Sequence, residues 1–182
     1  RIRGSIVAGA IGDALGAGIE FLSLEDIEAG FGPGGVTTLT PYYGHDAPIT
    51  DDTQMTLFTA EGLLAANAKG TDRVEEVWNA YQRWLITQET LSSDEIDPTE
   101  DGLIGILDLH TRRAPGNTCI SALKAGEAGT PSNRINSSKG CGGIMRAAPA
   151  GMLTSSDEEA YELGCEIAAL THGHPCGWIS AG

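Results

Sequence analysis

Three oxygen-bearing side chains stand next to one another in the segment ITDDTQM, at Thr50, Asp51 and Asp52. Hydroxyl and carboxylate oxygens are the ligands that hard cations such as Mg²⁺, Mn²⁺ and Ca²⁺ prefer. The same residue types are common in the first turn of a helix, where they accept hydrogen bonds from free backbone N–H groups and suit the positive end of the helix dipole. By itself, the segment therefore favours a helix cap over a metal site.

Two further carboxylates, Asp13 and Glu20, lie in the small and apolar segment GDALGAGIE. A buried carboxylate needs a cation or hydrogen-bond donors around it, and this segment contains no Lys or Arg. A bond from Asp13 to a neighbouring helix end explains this residue as well as a catalytic role does. Glu20 is the better candidate for contact with a metal ion or a water molecule.

The segment SSKGCGGIMRAAP holds a run of small residues, Gly140, Cys141, Gly142 and Gly143. A helix that starts at Gly143 would direct its free N–H groups at a phosphate. A plain tight turn explains the same glycines. The segment is not a Walker loop, because Lys139 precedes the glycines instead of following them.

A histidine-containing segment, THGHP, follows the last long helical pattern. His172 either contacts a ligand or is a helix C-terminal histidine stabilised by the helix dipole. Together with His174 and Cys176 it gives an H-x-H-x-C spacing, which matches no standard structural zinc motif. The sequence therefore does not favour zinc.

Helical periodicity predicts the elements that position these residues. The first helix, from Ile2, carries closely spaced glycines and is expected to be central and buried. A second helix is expected over about 51–68, with Leu64 in its apolar stripe, and a third from a capping Thr71 to Leu85. Two more are expected over about 118–127 and from about 157 to 170. Between about 87 and 117 the chain is broken by Pro98 and by glycines, and weak β-propensity occurs only at GVTTLT. These patterns predict an all-α fold.

Composition limits the classes of function. The 182 residues form one expected domain, 1–182, with 41% hydrophobic residues and a formal charge of −14. A surface this acidic repels nucleic acid, so a small anionic substrate needs a bound cation or a cluster of N–H groups. There is no apolar run of eighteen residues and no signal-peptide pattern, so no membrane contact is expected. The four cysteines have no C-x-x-C spacing, which favours a reducing, cytoplasmic setting.

Four blocks of this sequence, in their order and spacing, resemble the ADP-ribosylglycohydrolase family, also called the dinitrogenase reductase-activating glycohydrolase or ADP-ribosyl-arginine hydrolase family. An additional segment, GNTCISAL (116–123), supports the resemblance. The four blocks are GAIGDALGAGIE (9–20), ITDDTQM (49–55), KGCGGIMRAAPAG (139–151) and THGHP (171–175). The resemblance therefore spans nearly the whole chain.

The resemblance implies a compact, multi-helix enzyme with two Mg²⁺ or Mn²⁺ ions. Such an enzyme is an N-glycosidic hydrolase that releases ADP-ribose from a modified protein, most commonly from arginine, or from a small ADP-ribosyl conjugate. The implied metal ligands are Thr50, Asp51, Asp52 and Glu20, and we expect Asp52 or Glu20 to assist the attacking water. The implied substrate contacts are Gly140, Cys141, Gly142, Gly143 and His172.

Two departures from the family pattern leave alternatives open. The family's C-terminal D-x-D-T motif is missing, since Asp157 is the last aspartate, and the chain is expected to be the N-terminal part of a longer enzyme. Ala114 stands where some arginine-directed members have aspartate, so serine-linked ADP-ribose and O-acetyl-ADP-ribose also fit. A non-catalytic ADP-ribose-binding or structural member and a generic metal-dependent phosphohydrolase are the alternatives of other classes.

Overall fold

The computed structural model of this protein describes residues 1–42, 44–46, 48–89 and 101–182. Its α-helices in chain order are α1 (Ile2–Gly16), α2 (Leu24–Phe31), α3 (Asp51–Lys69), α4 (Arg73–Thr87), α5 (Asn117–Ala125), α6 (Ala148–Met152), α7 (Asp157–Ala169) and α8 (Pro175–Trp178). Short 3₁₀ turns occupy Leu103–Gly105, Leu107–Leu109 and Ile144–Arg146. Over these ranges the only β-type pairing is an isolated bridge between Tyr42 and His45. The all-α prediction is confirmed.

An antiparallel pair of helices, α3 and α4, forms the centre of the fold. Helix α3 ends where Gly70 takes a left-handed conformation with φ of 69°, which glycine adopts without steric cost. The two helices approach most closely at Gly62, where an added Cβ would lie 2.6 Å from the Val77 Cα atom. Gly62 therefore sets the spacing of the pair.

The apolar core lies between this helix pair and α5, α6 and α7. Its largest buried members include Phe58, Tyr81, Trp84, Leu123 and Ile167. Burial of aromatic and branched side chains of this size supplies most of the folding free energy, at about 1.5–3 kcal/mol for each fully buried large side chain. The core thus fixes the position of the α3 N-terminus, where the acidic segment lies.

A buried amide, Gln54, connects the core to the segment that precedes α5. Its Nε2 donates to the carbonyls of Leu109 (3.3 Å) and Thr111 (3.1 Å), while its Oε1 accepts from the Trp84 indole (3.2 Å) and the Gln88 amide (3.1 Å). Buried polar groups of this kind are retained when their partners satisfy them. Gln54 holds residues 109–111 against the first turn of α3.

Three expectations about the helices are wrong. Helix α1 buries only Ala14. Its residues Ile6, Gly9 and Ala10 line an open cavity, and Ile2, Val7 and Ile11, which are not part of that lining, are about half exposed. Leu64 is also exposed. The cap of α4 is Asp72, whose carboxylate accepts from the Glu75 N–H at 2.8 Å.

The predicted loop and the membrane prediction concern different parts of the chain. The part of the predicted loop that contains Pro98 lies outside the described residues. In the parts of the chain that the structure describes, each helix is too short or too polar to cross a membrane.

Candidate active site

The residue that organises the acidic segment is Asp13, near the end of α1. Its carboxylate accepts from the N–H and hydroxyl of Thr50 (2.8 and 2.7 Å) and from the N–H and hydroxyl of Thr53 (3.1 and 2.5 Å). A carboxylate in this place satisfies N–H groups that the helix itself leaves without partners. Asp13 thus bonds a neighbouring helix end, one of its two sequence interpretations.

Thr50 is both the helix cap and a member of the acidic cluster. Its hydroxyl oxygen accepts from the Asp52 N–H at 3.3 Å, as an N-cap does. The same oxygen lies 2.7 Å from Asp13 Oδ1 and 3.1 Å from Asp52 Oδ2. The Thr50 hydroxyl has one proton and can donate it to only one of these two carboxylates. The contact with the other carboxylate then joins two oxygens with no proton between them, which favours binding of a proton or a cation there.

A cavity of about 580 Å³ lies next to this cap. Its lining includes Asp13, Glu20, Thr50, Asp52 and Cys141. These residues come from α1 and the turn that follows it, from the start of α3 and from the glycine loop, which are more than 25 residues apart in sequence. The structure therefore brings three of the four sequence blocks to one cavity.

Asp51 lies apart from this lining. It is 5% exposed, its Oδ2 accepts from the Gly116 N–H at 3.2 Å, and its own N–H donates to the Arg113 carbonyl at 3.1 Å. Within the described ranges, no three Asp, Glu, His or Cys side chains converge closely enough to hold one metal ion. The predicted ligand set is therefore gathered around the α3 N-terminus without forming a complete coordination shell.

The electrostatics of the cluster are those of mutually repelling acids. Burial, followed by the charge of Asp52, raises the pKa of Asp51 to about 7, against the opposing effect of the Gly116 N–H. Burial and the charge of Asp13 raise the pKa of Asp52. Partial desolvation, followed by the negative charges of Asp52 and Asp13, raises the pKa of Glu20. Removal from water and the approach of other negative charges both stabilise the neutral form of a carboxyl group. The cluster therefore favours the binding of either a proton or a cation.

The glycine loop is built for close packing. Gly140 and Cys141 are exposed, whereas Gly142 and Gly143 are buried. A Cβ on Gly142 would lie 2.7 Å from the His172 ring and 2.8 Å from the Cys119 sulfur, and a Cβ on Gly143 would lie 2.5 Å from the Gly177 carbonyl oxygen. Only glycine fits these two places without displacement of the neighbours.

Of the two interpretations of the glycine loop, an α-helix that starts at Gly143 is not found. A 3₁₀ turn occupies Ile144–Arg146, and α6 begins only at Ala148, with Pro149 in its first turn. Proline favours a helix start because it has no N–H to leave unpaired. The loop therefore does not present the N-terminus of a long helix to a phosphate.

His172 lies beneath the loop and is 1% exposed. Its Nδ1 is 2.8 Å from the Thr171 hydroxyl, while its Nε2 is 3.0 Å from the Cβ position of Gly142. Burial, together with the positive charge of Arg146, lowers the pKa of His172 to about 4. The imidazole is neutral at pH 7, so stabilisation of a charged ring by the helix dipole does not explain it. His174 instead caps α8, where its Nδ1 accepts from the Cys176 N–H at 3.0 Å.

Comparison with known proteins identifies the family. The sequence profile described as ADP-ribosylglycohydrolase matches residues 1–182. The chain belongs to the ADP-ribosylglycohydrolase family. An ADP-ribosyl-(dinitrogen reductase) glycohydrolase from Rhodospirillum rubrum is 30% identical over 186 residues, which cover 96% of this chain and 52% of the relative. This ADP-ribosylglycohydrolase chain thus spans about half the length of the curated relative that it matches, and the resemblance drawn from the four blocks is confirmed.

Sequence reasoning missed several residues that shape the site. Gly116 is the N–H donor to Asp51, and Gln54 holds the preceding segment in place. Arg146, within the block that carries the glycines, is fully buried. A single arginine in the otherwise apolar stretch GGIMRAAPAGML was the signal available, because a cation is seldom placed among core residues without a specific reason.

Proposed function

We propose that this chain carries the ADP-ribose-binding and water-activating part of a hydrolase that releases ADP-ribose from a modified arginine side chain of a protein. The observation that carries the proposal is the meeting of Glu20, Thr50, Asp52 and Cys141 around one cavity, in a chain of this family. The name of the relative from Rhodospirillum rubrum describes an ADP-ribosylated protein as its substrate, which supports a protein substrate here. Four free thiols agree with a cytoplasmic setting.

We propose Thr50, Asp51, Asp52 and Glu20 as the residues that would hold two Mg²⁺ or Mn²⁺ ions. Their oxygen donors have the chemistry that hard cations require, and the raised pKa values of all three carboxyl groups indicate that positive charge is lacking in the cluster. Such ions would supply attraction for the substrate diphosphate, orientation of the ribose hydroxyls and activation of water. A chain with a net charge of −14 needs this local attraction to bind an anion.

The proposed reaction breaks the bond between the anomeric carbon of ribose and a guanidine nitrogen. The water oxygen bonds to that carbon as the carbon–nitrogen bond breaks, Asp52 or Glu20 takes one water proton, and this proton passes on to the leaving guanidine nitrogen, directly or through solvent, which restores the carboxylate. Both carboxyl groups line the cavity, so either one lies where it could accept a proton from a water bound there. The exposed edge of the glycine loop, Gly140–Cys141, with Gly142, Gly143 and His172 behind it, forms the proposed wall for the phosphates and ribose.

Activity and metal binding test this proposal separately. We expect ADP-ribose release from an arginine-modified protein by the full chain with Mn²⁺ or Mg²⁺, and a loss of about 10²–10⁴-fold in Asp52→Asn or Glu20→Gln, the usual range for a general base. Glu28→Gln, on the exposed surface of α2, is the matched control. Unchanged rates in both site variants would exclude these bases.

Calorimetry distinguishes the alternative class. Binding of ADP-ribose in the presence of Mn²⁺ without any turnover would identify a non-catalytic ADP-ribose-binding member of the family. Release of inorganic phosphate from nucleotides would identify a phosphohydrolase instead. Absence of Mn²⁺ and Mg²⁺ binding by the wild-type chain would contradict the proposed ligand set.

A further inference from the structure

A buried cation without a carboxylate partner lies behind the glycine loop. The side chain of Arg146 is 0% exposed, and none of the ion pairs found among the described residues includes it. Its guanidinium carbon lies 4.4 Å from the centroid of the Tyr81 ring, and its Nε has no hydrogen-bond partner. Burial of a charge without an opposite charge is costly, so this arginine needs a reason beyond filling the core.

The hydrogen bonds of Arg146 lead towards His172. Its Nη2 donates to the Ile167 carbonyl at 3.2 Å and to the Thr171 hydroxyl at 2.7 Å. Its Nη1 lies 3.5 Å from the Cys119 sulfur and 3.6 Å from the Met55 sulfur. Arginine has only donors, so the Thr171 oxygen must accept from Arg146.

The Thr171 hydroxyl therefore has its own proton free for another acceptor. His172 Nδ1 lies 2.8 Å from this oxygen. The Cys119 sulfur is also within hydrogen-bonding reach of the hydroxyl, but sulfur is a much weaker acceptor than an imidazole nitrogen. The hydroxyl proton consequently points to Nδ1, and Nδ1 carries no proton.

A neutral imidazole with an unprotonated Nδ1 holds its proton on Nε2. This nitrogen lies 3.0 Å from the Cβ position of Gly142 and 3.4 Å from that of Gly140. A side chain on Gly142 would collide with the ring, and one on Gly140 would touch it. Nε2 thus lies close to the backbone of the glycine loop, and within that loop Cys141 lines the cavity.

We propose that Arg146 and Thr171 are positioning residues that hold His172 as the Nε2–H tautomer, so that the ring donates a hydrogen bond to a phosphate or ribose oxygen lying on the glycine loop. The role of this donor rests on the proposed function, since ADP-ribose is the ligand that supplies these oxygens. The tautomer itself is a property of the free protein. Its measurement is therefore independent of catalysis.

The test is nitrogen NMR of the full chain with ¹⁵N-labelled histidine, with the His172 signals assigned by their loss in His172→Asn. We expect the wild-type ring to show an unprotonated Nδ1 and a protonated Nε2 at pH 7. Thr171→Ser keeps the hydroxyl and should keep this pattern, whereas Thr171→Val should shift the ring towards the Nδ1–H form. A wild-type ring protonated on Nδ1, or a Thr171→Val ring unchanged from wild type, overturns the proposal.

Ligand affinity supplies the second measurement. We expect Thr171→Val to bind ADP-ribose about tenfold more weakly than wild type, the effect of one lost hydrogen bond of about 1.4 kcal/mol, and Thr171→Ser to bind within about twofold. Equal weakening in both variants would show a packing defect and contradict the positioning role. If the wild-type chain has the Nε2–H tautomer and binds no ADP-ribose, the proposed function fails, while the tautomer assignment is supported.

Discussion

Replacement of Asp51 by asparagine should stabilise the metal-free protein at alkaline pH. The side chain is 5% exposed, and its surroundings raise the pKa from the ordinary value of 3.8 to about 7. Each pKa unit corresponds to about 1.4 kcal/mol, so at pH 8 the ionised Asp51 destabilises the folded state by up to about 4 kcal/mol. Asparagine has nearly the same shape, carries no charge and keeps an oxygen for the Gly116 N–H. We expect Asp51→Asn to be about 2–4 kcal/mol more stable than wild type at pH 8.

The pH dependence gives the sign of this effect. Between pH 3.8 and 7 the folded state binds a proton at Asp51 that the unfolded state does not, so the wild type becomes more stable as the pH falls through 7. The asparagine variant lacks this contribution. The gain from the substitution should therefore shrink by about 2 kcal/mol between pH 8 and pH 5.5.

The assay is urea unfolding followed by tryptophan fluorescence, in the presence of a chelator, at several pH values. Asp108→Asn is the matched control, since Asp108 is an exposed acid in a short 3₁₀ turn, and its effect should stay within about 0.5 kcal/mol at both pH values. An Asp51→Asn protein that is no more stable than wild type at pH 8, or whose gain is the same at pH 5.5, would refute the burial argument.

Three further substitutions, the first with a matched control, test the packing in the fold and around the site. Gly62→Ala should lower the free energy of unfolding by about 1–3 kcal/mol or more, because its Cβ would meet the α4 backbone at 2.6 Å; Gly30→Ala in α2, whose Cβ meets no described atom within 4 Å, should instead stabilise by up to about 1 kcal/mol. Ala114→Gly should stabilise by about 1 kcal/mol in thermal unfolding, because Ala114 has a left-handed φ of 52°; a loss of stability would show that the strain is absent. Asp13→Ala should destabilise by about 2–4 kcal/mol, because the Thr50 and Thr53 donors lose their acceptor, and an effect below about 0.5 kcal/mol in urea unfolding would contradict its anchoring role.

The sequence alone was sufficient for the long helices and for the family. Capping residues and the apolar period mark α3 and α7 clearly, because these signals are local and recur at 3.6 residues. The order of the four blocks indicated the family without any structure. Short elements such as α2 and the 3₁₀ turn at Ile144–Arg146 were not predicted, since a few residues carry too weak a periodic signal.

Helix α1 shows why local pattern does not determine burial. Its apolar and glycine residues predicted a central helix, and the secondary structure is as expected. Burial depends on what lies opposite, however, and here Ile6, Gly9 and Ala10 line the cavity. No periodicity in the sequence distinguishes a side chain that packs on a helix from one that faces a cavity.

Local chemistry determined that Thr50, Asp51 and Asp52 would begin a helix and carry oxygen donors. Only the tertiary structure decided that Asp13 binds this helix start, that Asp51 turns to Gly116 while Asp52 faces the cavity, and that Arg146 stands behind His172. The reason is physical: caps and charges act within one turn of a helix, whereas pKa values and hydrogen-bond directions depend on groups that the fold brings from distant parts of the chain.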